Sequence, residues 1–292
     1  MTAATVDAPS AAGPANSTTD QNSGHRWYIH PTTGERFISV TTVLDHIAKF
    51  GLVDWSAKLA AEASFDMLPA LNRASRLPLC NSRGDSACGN CRDCLTTWLA
   101  RRHIEVRDTA GALGTKLHDA AEQTALFGEG THIDEDVRPF VAQFLRWRKR
   151  YQPEFLATEM TVISRKWGYA GTLDGILRFG EQSRLEAKLA HLTGLPLCFD
   201  YKTSKQVDIP KGWQVTAYSH ADAVLLPDGT ELPMPEISGG LIVHIRPERV
   251  QMREVHVTDA NLAYFVHMCR VVEGLGAGLN NVLSRPITMK EA

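Results

Sequence analysis

No apolar run in the 292-residue chain approaches the roughly 18 residues needed to cross a bilayer, which excludes a spanning helix. Neither charge is in surplus. The 31 Lys and Arg against 33 Asp and Glu leave a formal net charge of −2, which excludes a histone-like binder that works by bulk positive charge. The first 24 residues hold no Lys, Arg or aromatic side chain and no apolar stretch, so they are not read as a secretory signal. Internal repeats are also lacking. Cysteine is scarce and uneven: of six, Cys80, Cys88, Cys91 and Cys94 fall close together while Cys198 and Cys269 stand alone. A disulfide framework normally belongs to a short secreted chain, so the cluster points instead to metal ligation in a reducing, cytoplasmic setting.

What is present suits a folded domain. Hydrophobic residues make up 43% of the chain and charged residues 22%, enough to bury a substantial core. Residues 1–24 are small and polar and are expected to be a disordered tail, followed by a single domain over 25–292 that carries a Cys-rich insertion at about 76–100. Arg26–His30 and Arg36–Val40 flank the turn residues Pro31-Thr32-Thr33-Gly34-Glu35, which predicts a hairpin. Helices are predicted near 42–47, 55–67, 107–127, 135–151, 210–224 and 259–276. Strands are predicted at Leu156–Ser164, Gly168–Phe179, Leu195–Lys202 and near 239–246 and 249–257. In the 107–127 helix, Leu113, Leu117, Ala120 and Thr124 form one stripe at helical spacing. Helices on both sides of a block of strands make the class α/β (α+β), a central mixed sheet flanked by helices.

The segment richest in chemistry is Leu197-Cys198-Phe199-Asp200-Tyr201-Lys202. Side chains alternate along a strand, so Asp200 and Lys202 share one face while Leu197, Phe199 and Tyr201 can face a core. Upstream, Asp174 is the only acid of a glycine-flanked strand. Carboxylates from two neighbouring strands suit a hard cation such as magnesium or manganese. A lysine beside them can orient or deprotonate a water that attacks a phosphodiester. Gln214 and Tyr218 are spaced to share a helix face, and His118 adds an imidazole on an earlier helix.

Four short motifs come in order: Gly114-Thr115-Lys116-Leu117-His118, Gly171-Thr172-Leu173-Asp174, Asp200-Tyr201-Lys202 and Gln214-Val215-Thr216-Ala217-Tyr218. The order resembles the PD-(D/E)XK nuclease superfamily, in its RecB-like branch of CRISPR-associated and phage recombination exonucleases. Phe37-Ile38-Ser39-Val40-Thr41-Thr42-Val43-Leu44 also looks like the start of phage members. The resemblance implies a restriction-endonuclease-like core and a divalent-metal-dependent exonuclease acting at DNA ends in recombination, repair or phage DNA processing. It implies that His118, Asp174, Asp200 and the Tyr201 backbone carbonyl hold Mg2+ or Mn2+. Asp174, Asp200 and Lys202 would be catalytic, with Gln214 and Tyr218 supporting the site or touching DNA. DNA is the expected partner, with a single-strand annealing or recombination protein as a second and no membrane. A structure-specific or restriction-type endonuclease of the same superfamily and a non-catalytic DNA-binding module on a nuclease fold are the alternatives.

Glu186-Ala187-Lys188 also fits (D/E)-x-K, but its surroundings favour helix and no Q-x-x-x-Y follows, so it is assigned to an insertion between strands. Glu159 is read as a structural acid, with metal ligation as its other reading. The C-x7-C-x2-C-x2-C spacing of Cys80, Cys88, Cys91 and Cys94 suits zinc or an iron–sulfur cluster. Cys198 and Cys269 read as core. The basic runs Arg101-Arg102-His103 and Arg146-Trp147-Arg148-Lys149-Arg150 read as solvated helix faces or as the walls of a DNA channel, with Trp147 on the buried side of its helix.

Overall fold

The computed structural model describes the backbone of residues 17–20, 24–47, 50–77, 79–80, 88–127 and 133–276, and the side chains of all but 50, 121–127 and 276 among them. Two units emerge: one joins the chain up to Ile47 with the chain from Lys116 onward, and the other is Ala48–Thr115.

The first unit is built on a mixed sheet flanked by helices. Its strands are β1 (Ser17–Thr19), β2 (Arg26–Ile29), β3 (Arg36–Ser39), β4 (Glu154–Ser164), β5 (Tyr169–Arg178), β6 (Pro196–Lys202), β7 (Ala223–Leu225), β8 (Glu231–Pro233), β9 (Gly239–Ile245) and β10 (Val250–Val255). The expected hairpin is β2–β3, with Trp27 paired to Ile38. Ser17–Thr19 lie inside the stretch expected to be disordered, yet pair with β2 as an edge strand. Backbone hydrogen bonding to an open edge needs no apolar side chains, which composition alone does not register. Residues 1–16 of that tail lie outside the described residues.

Helix α1 (Val40–Asp45), α6 (Ile209–Ser219) and α7 (Asp259–Gly276) cover one face. Their Val43, Val215, Ala217, Phe265 and Cys269 join Ile38, Leu173, Ile176, Cys198 and Ile242 of the sheet in one core. Helix α5 (Arg138–Tyr151) puts Phe144 edge-on to Tyr201, and Trp147 edge-on to Phe179. Both lone cysteines are core residues, as read from sequence. The helix expected over 210–224 ends at Ser219, because Ala223–Leu225 turns back as β7 and pairs with both β4 and β8. A three-residue strand is too short to show a period of two, which is why neither β7 nor β8 is legible in the sequence.

The second unit is helical, with α2 (Phe50–Asp66), α3 (Leu68–Ala74) and the first part of α4 (Arg92–Phe127). Helix α4 starts fifteen residues before the expected 107, directly after Cys91 (107 − 92 = 15). The Cys-rich stretch is therefore partly helical: Cys91 precedes the first turn and Cys94 lies within it. No described helix is long and apolar enough to cross a membrane.

The sheet forks at β5. β4 pairs along one edge from Arg178 to Tyr169, with a bulge between Phe155 and Ala157 and a gap in the ladder at Asp174. The other edge is divided: β3 takes Tyr169 and Ala170, and β6 takes Gly175 to Arg178. Between them Gly171-Thr172-Leu173-Asp174 has no strand partner on that side. The G-T-x-D motif thus sits in the mouth of the fork, where side chains rather than a neighbouring strand must satisfy the backbone.

Candidate active site

At the mouth of the fork the Asp174 carboxylate takes the place of the missing ladder bond. Its Oδ2 accepts the Tyr201 backbone N–H at 2.6 Å. Its Oδ1 lies 3.5 Å from Nδ1 of His118, on α4. The other ring nitrogen, Nε2, is 3.2 Å from the Tyr201 carbonyl, which can only accept, so Nε2 carries a proton. His118, Asp174 and the Tyr201 backbone, far apart in sequence, therefore meet. The Tyr201 carbonyl, expected to ligate a metal, orients the imidazole here through one lone pair and leaves Nδ1 to face the carboxylate.

Asp200 and Lys202 share a strand face, with Nζ 2.5 Å from Asp200 Oδ2. Asp200 is only 1% exposed, and beyond the Lys202 ammonium at Oδ2 its Oδ1 has no hydrogen-bond donor among the described residues. Register explains its neighbourhood. Gly175 pairs with Phe199, so continuing that antiparallel register by one residue sets Asp174 opposite Asp200.

The charges follow from burial and proximity. Burial pushes Asp200 up to about 6, reinforced by Asp174 and opposed by Lys202. Burial would also raise Asp174, but His118 and Lys202 hold it below the usual carboxylate range. For His118 burial favours the neutral ring, yet the Asp174 carboxylate overcomes it and lifts the imidazole to about 9. Lys202 keeps its proton for the same reason: burial lowers it, while Asp200 and Asp174 raise it above its ordinary value.

Gln214 and Tyr218 on α6 are linked, with the Gln214 amide donating to the Tyr218 hydroxyl at 3.3 Å. The Tyr218 ring lies over Gly171, where an added Cβ would stand 2.4 Å from a ring carbon. Gly171 is thus needed for close approach rather than for its backbone angles. Gly171→Ala should displace Tyr218 and cost about 1–3 kcal/mol by overpacking. Urea unfolding tests this, and an unchanged midpoint would count against the packing role.

Of three further residues in this neighbourhood, Glu159 was read from sequence as a structural acid with metal ligation as its other reading, and His244 and Arg246 were not assigned. Glu159 on β4 lies with His118 and Asp174, one ligand atom of each being within 4.8 Å of the others. The available signal was its position on the strand that precedes Asp174. His244 on β9 and Arg246, just past its end, grip the loop that follows Lys202: the ring Nε2 donates to the Ser204 carbonyl at 2.7 Å, and the guanidinium donates to the Thr203 carbonyl. Lys202 is paired with His244 across β6 and β9. Nothing local in the sequence marks them.

Glu186 has a separate environment. It lies outside any strand and accepts the Tyr151 hydroxyl at 2.5 Å and an Arg150 N–H at 3.0 Å. Its position between β5 and β6 matches the inter-strand insertion. Glu186→Ala should leave metal binding unchanged while loosening the end of α5, a difference that calorimetry with Mn2+ and thermal melting resolve.

In the second unit the four clustered cysteines converge. Their Sγ atoms stand 3.3 Å apart for Cys80 and Cys94, 3.5 Å for Cys80 and Cys91, and 3.8 Å for Cys88 and Cys94. The Cys94 and Cys80 backbone N–H groups hold the Cys91 thiol down at about 6, and the Cys80 thiol pushes Cys94 up to about 12. Such a set can hold a metal ion. Of the basic runs, Arg102 pairs with Glu105 and stacks over Trp98, while Trp147 is buried on α5 between exposed Arg146 and half-buried Arg148.

No family model matches the chain, and no curated protein matches it. Among solved structures, one described as "Crystal structure of SSO0001" is similar over 62% of this chain and 68% of its own, at 16% identity and a TM-score of 0.30. A likeness at that score carries no argument.

Proposed function

We propose that the chain is a divalent-metal-dependent deoxyribonuclease on a PD-(D/E)XK, restriction-endonuclease-like core, an exonuclease that hydrolyses phosphodiester bonds at DNA ends. The observation that carries this reading is the buried Asp200–Lys202 pair beside Asp174 and His118 at the fork of the sheet. A carboxylate that is 1% exposed and has only the Lys202 ammonium against one oxygen is costly to bury unless further positive charge shares it. Together with an imidazole and a second acid it fits a divalent cation. Bound there, Mg2+ or Mn2+ would offset charge on the phosphate and acidify a water.

The chain's own residues do the rest. Lys202, held protonated by Asp200, acts as an ammonium that orients the water and faces the phosphate, so it is not the base that deprotonates it. His118 is oriented by the Tyr201 carbonyl. Gln214 and Tyr218 support the site from α6, with the Tyr218 ring seated on Gly171. The loop gripped by His244 and Arg246 keeps Lys202 in register. DNA is the substrate, and a recombination or annealing protein is the accompanying partner, in a bacterial or phage-infected cytoplasm.

Linear and covalently closed circular DNA, each incubated with Mg2+, Mn2+ or EDTA, test the reading. Metal-dependent degradation of linear DNA alone is expected, and Lys202→Ala should abolish it. Cutting of closed circles would reassign the chain to an endonuclease, and tight binding without cleavage in any metal would sink both readings.

The four thiolates take a single zinc ion. With Zn–S bonds of about 2.3 Å a tetrahedron has edges of about 3.8 Å, and the Sγ separations of 3.3 to 3.8 Å approach this. An iron–sulfur cluster puts several irons and sulfides between its thiolates and needs them farther apart. Metal analysis of the purified protein should find about one zinc per chain. A brown protein containing iron would overturn the assignment.

A further inference from the structure

The β9–β10 hairpin leaves one edge of the sheet open. β10 pairs with β9 and with no other strand among the described residues. Arg246 and Arg249 exchange both backbone hydrogen bonds where the hairpin turns. Bonded and non-bonded pairs alternate in an antiparallel ladder, so Val250 with Ile245, Met252 with Val243 and Glu254 with Leu241 are the non-bonded pairs. The N–H and C=O groups of Val250, Met252 and Glu254 therefore point away from β9, along the open edge. Such a row of unpaired groups is a template for a further strand.

A cleft of about 520 Å³ lies beside that edge, between β10, α5 and the segment that follows β5. Met252, Leu189 and Trp147 give it apolar walls, and Arg146 and Lys188 also line it. Arg150 is engaged by Glu186, whereas Arg146 and Lys188 are exposed and have no acid partner among the described residues. Trp147, 3% exposed, keeps an indole N–H with no acceptor among the described residues. The cleft thus offers two uncompensated positive charges around an apolar interior. DNA would satisfy the charge but has no peptide groups to continue a β ladder, and an extended acidic peptide satisfies both. Alternation fixes its pattern. Residues two apart on an added strand share a face at a spacing of about 7 Å, so acids belong two residues to either side of an apolar side chain that enters the cleft.

We propose that the β10 edge and its cleft dock an extended acidic segment of a partner protein, which adds as a strand and seats one large apolar side chain between Trp147 and Met252. This docking is independent of the nuclease reading and is read without cleavage or a divalent ion. Fluorescence anisotropy of labelled peptides with the full chain tests it. A peptide with the core Asp-Thr-Phe-Thr-Asp should bind at least about tenfold more tightly than Thr-Asp-Phe-Asp-Thr, which carries the same charge on the wrong strand face. Arg146→Glu combined with Lys188→Glu should weaken the first peptide at least about tenfold. The melting temperature should hold, because both side chains are exposed. N-methylation of the peptide at alternate residues separates strand addition from charge alone. Only every second N–H faces β10, so one alternate set should abolish binding while the other preserves it. Equal affinity for the two peptides, no peptide binding by the wild type, unchanged affinity after charge reversal, or equal effects of the two methylation sets would each overturn the dock. An oligonucleotide that binds where no peptide does, and is lost on the same charge reversal, would assign the cleft to DNA and overturn it too.

Discussion

Asp174→Asn is expected to reduce metal-dependent DNA cleavage by about a thousandfold or more, the scale of removing a charged group that stabilises a reacting centre. Asparagine keeps the shape and an oxygen for the Tyr201 N–H, so the fork should stay closed at the 2.6 Å contact. What it removes is the charge that serves both the cation and His118. The same substitution therefore has a signature visible without metal or DNA. In the metal-free wild type the imidazole titrates at about 9, because Asp174 overcomes the effect of burial. Without that carboxylate burial wins, and the ring should titrate below its ordinary value of about 6.5.

The linkage has a definite sign. A folded-state value raised above the unfolded one stabilises the protein fully below about pH 6.5, and that contribution is lost as pH rises through about 9. Metal-free wild type should lose on the order of a few kcal/mol across this window. Asp174→Asn should flatten the loss. Urea midpoints at several pH values in EDTA, with nuclear magnetic resonance of the imidazole, check both statements. A His118 titration unmoved by Asp174→Asn would contradict the ion pair itself.

Removal of the metal from the four-cysteine site should unfold most of the second unit. Structural zinc in small domains supplies about 10–16 kcal/mol of apparent binding energy, more than a unit with modest apolar burial can replace. The described part of this unit leaves Val53, Phe65 and Leu79 more than half exposed, so its apolar burial is modest. A strong thiol-competing chelator, or Cys91→Ser, should lower helicity at 222 nm and abolish one metal-dependent thermal transition. Cys198→Ser and Cys269→Ser serve as controls. Both residues are buried in the sheet core, so they should lower the melting temperature while leaving zinc content unchanged. An unaltered melt after verified zinc loss would show that the cluster is not a folding element.

Much was legible because it is local. Alternation along Leu197–Lys202 placed Phe199 and Tyr201 against aromatic residues and Asp200 beside Lys202, and a period of two needs only the strand itself. The C-x2-C spacing put Cys88 and Cys91 in reach of each other, with the Cys91 N–H donating to Cys88 Sγ at 3.3 Å. The helix expected around Glu186 does not form, since residues 184–189 are loop and turn, because local propensity without a packed apolar face is too weak to hold one.

Tertiary structure alone decided the rest, and the reason is register. That β3 and β6 share one edge of β5, leaving Gly171–Asp174 in a fork, depends on which distant strands pair and at what offset. The same pairing sets Glu159 opposite Asp174 and brings His118 to the Tyr201 carbonyl. It also brings His244 and Arg246 to the loop beyond Lys202. A shift of one residue in any of these ladders would turn each side chain to the other face with no change in local pattern. The sequence determined which residues carry acids, an ammonium and an imidazole. The fork in the sheet decided which of them meet.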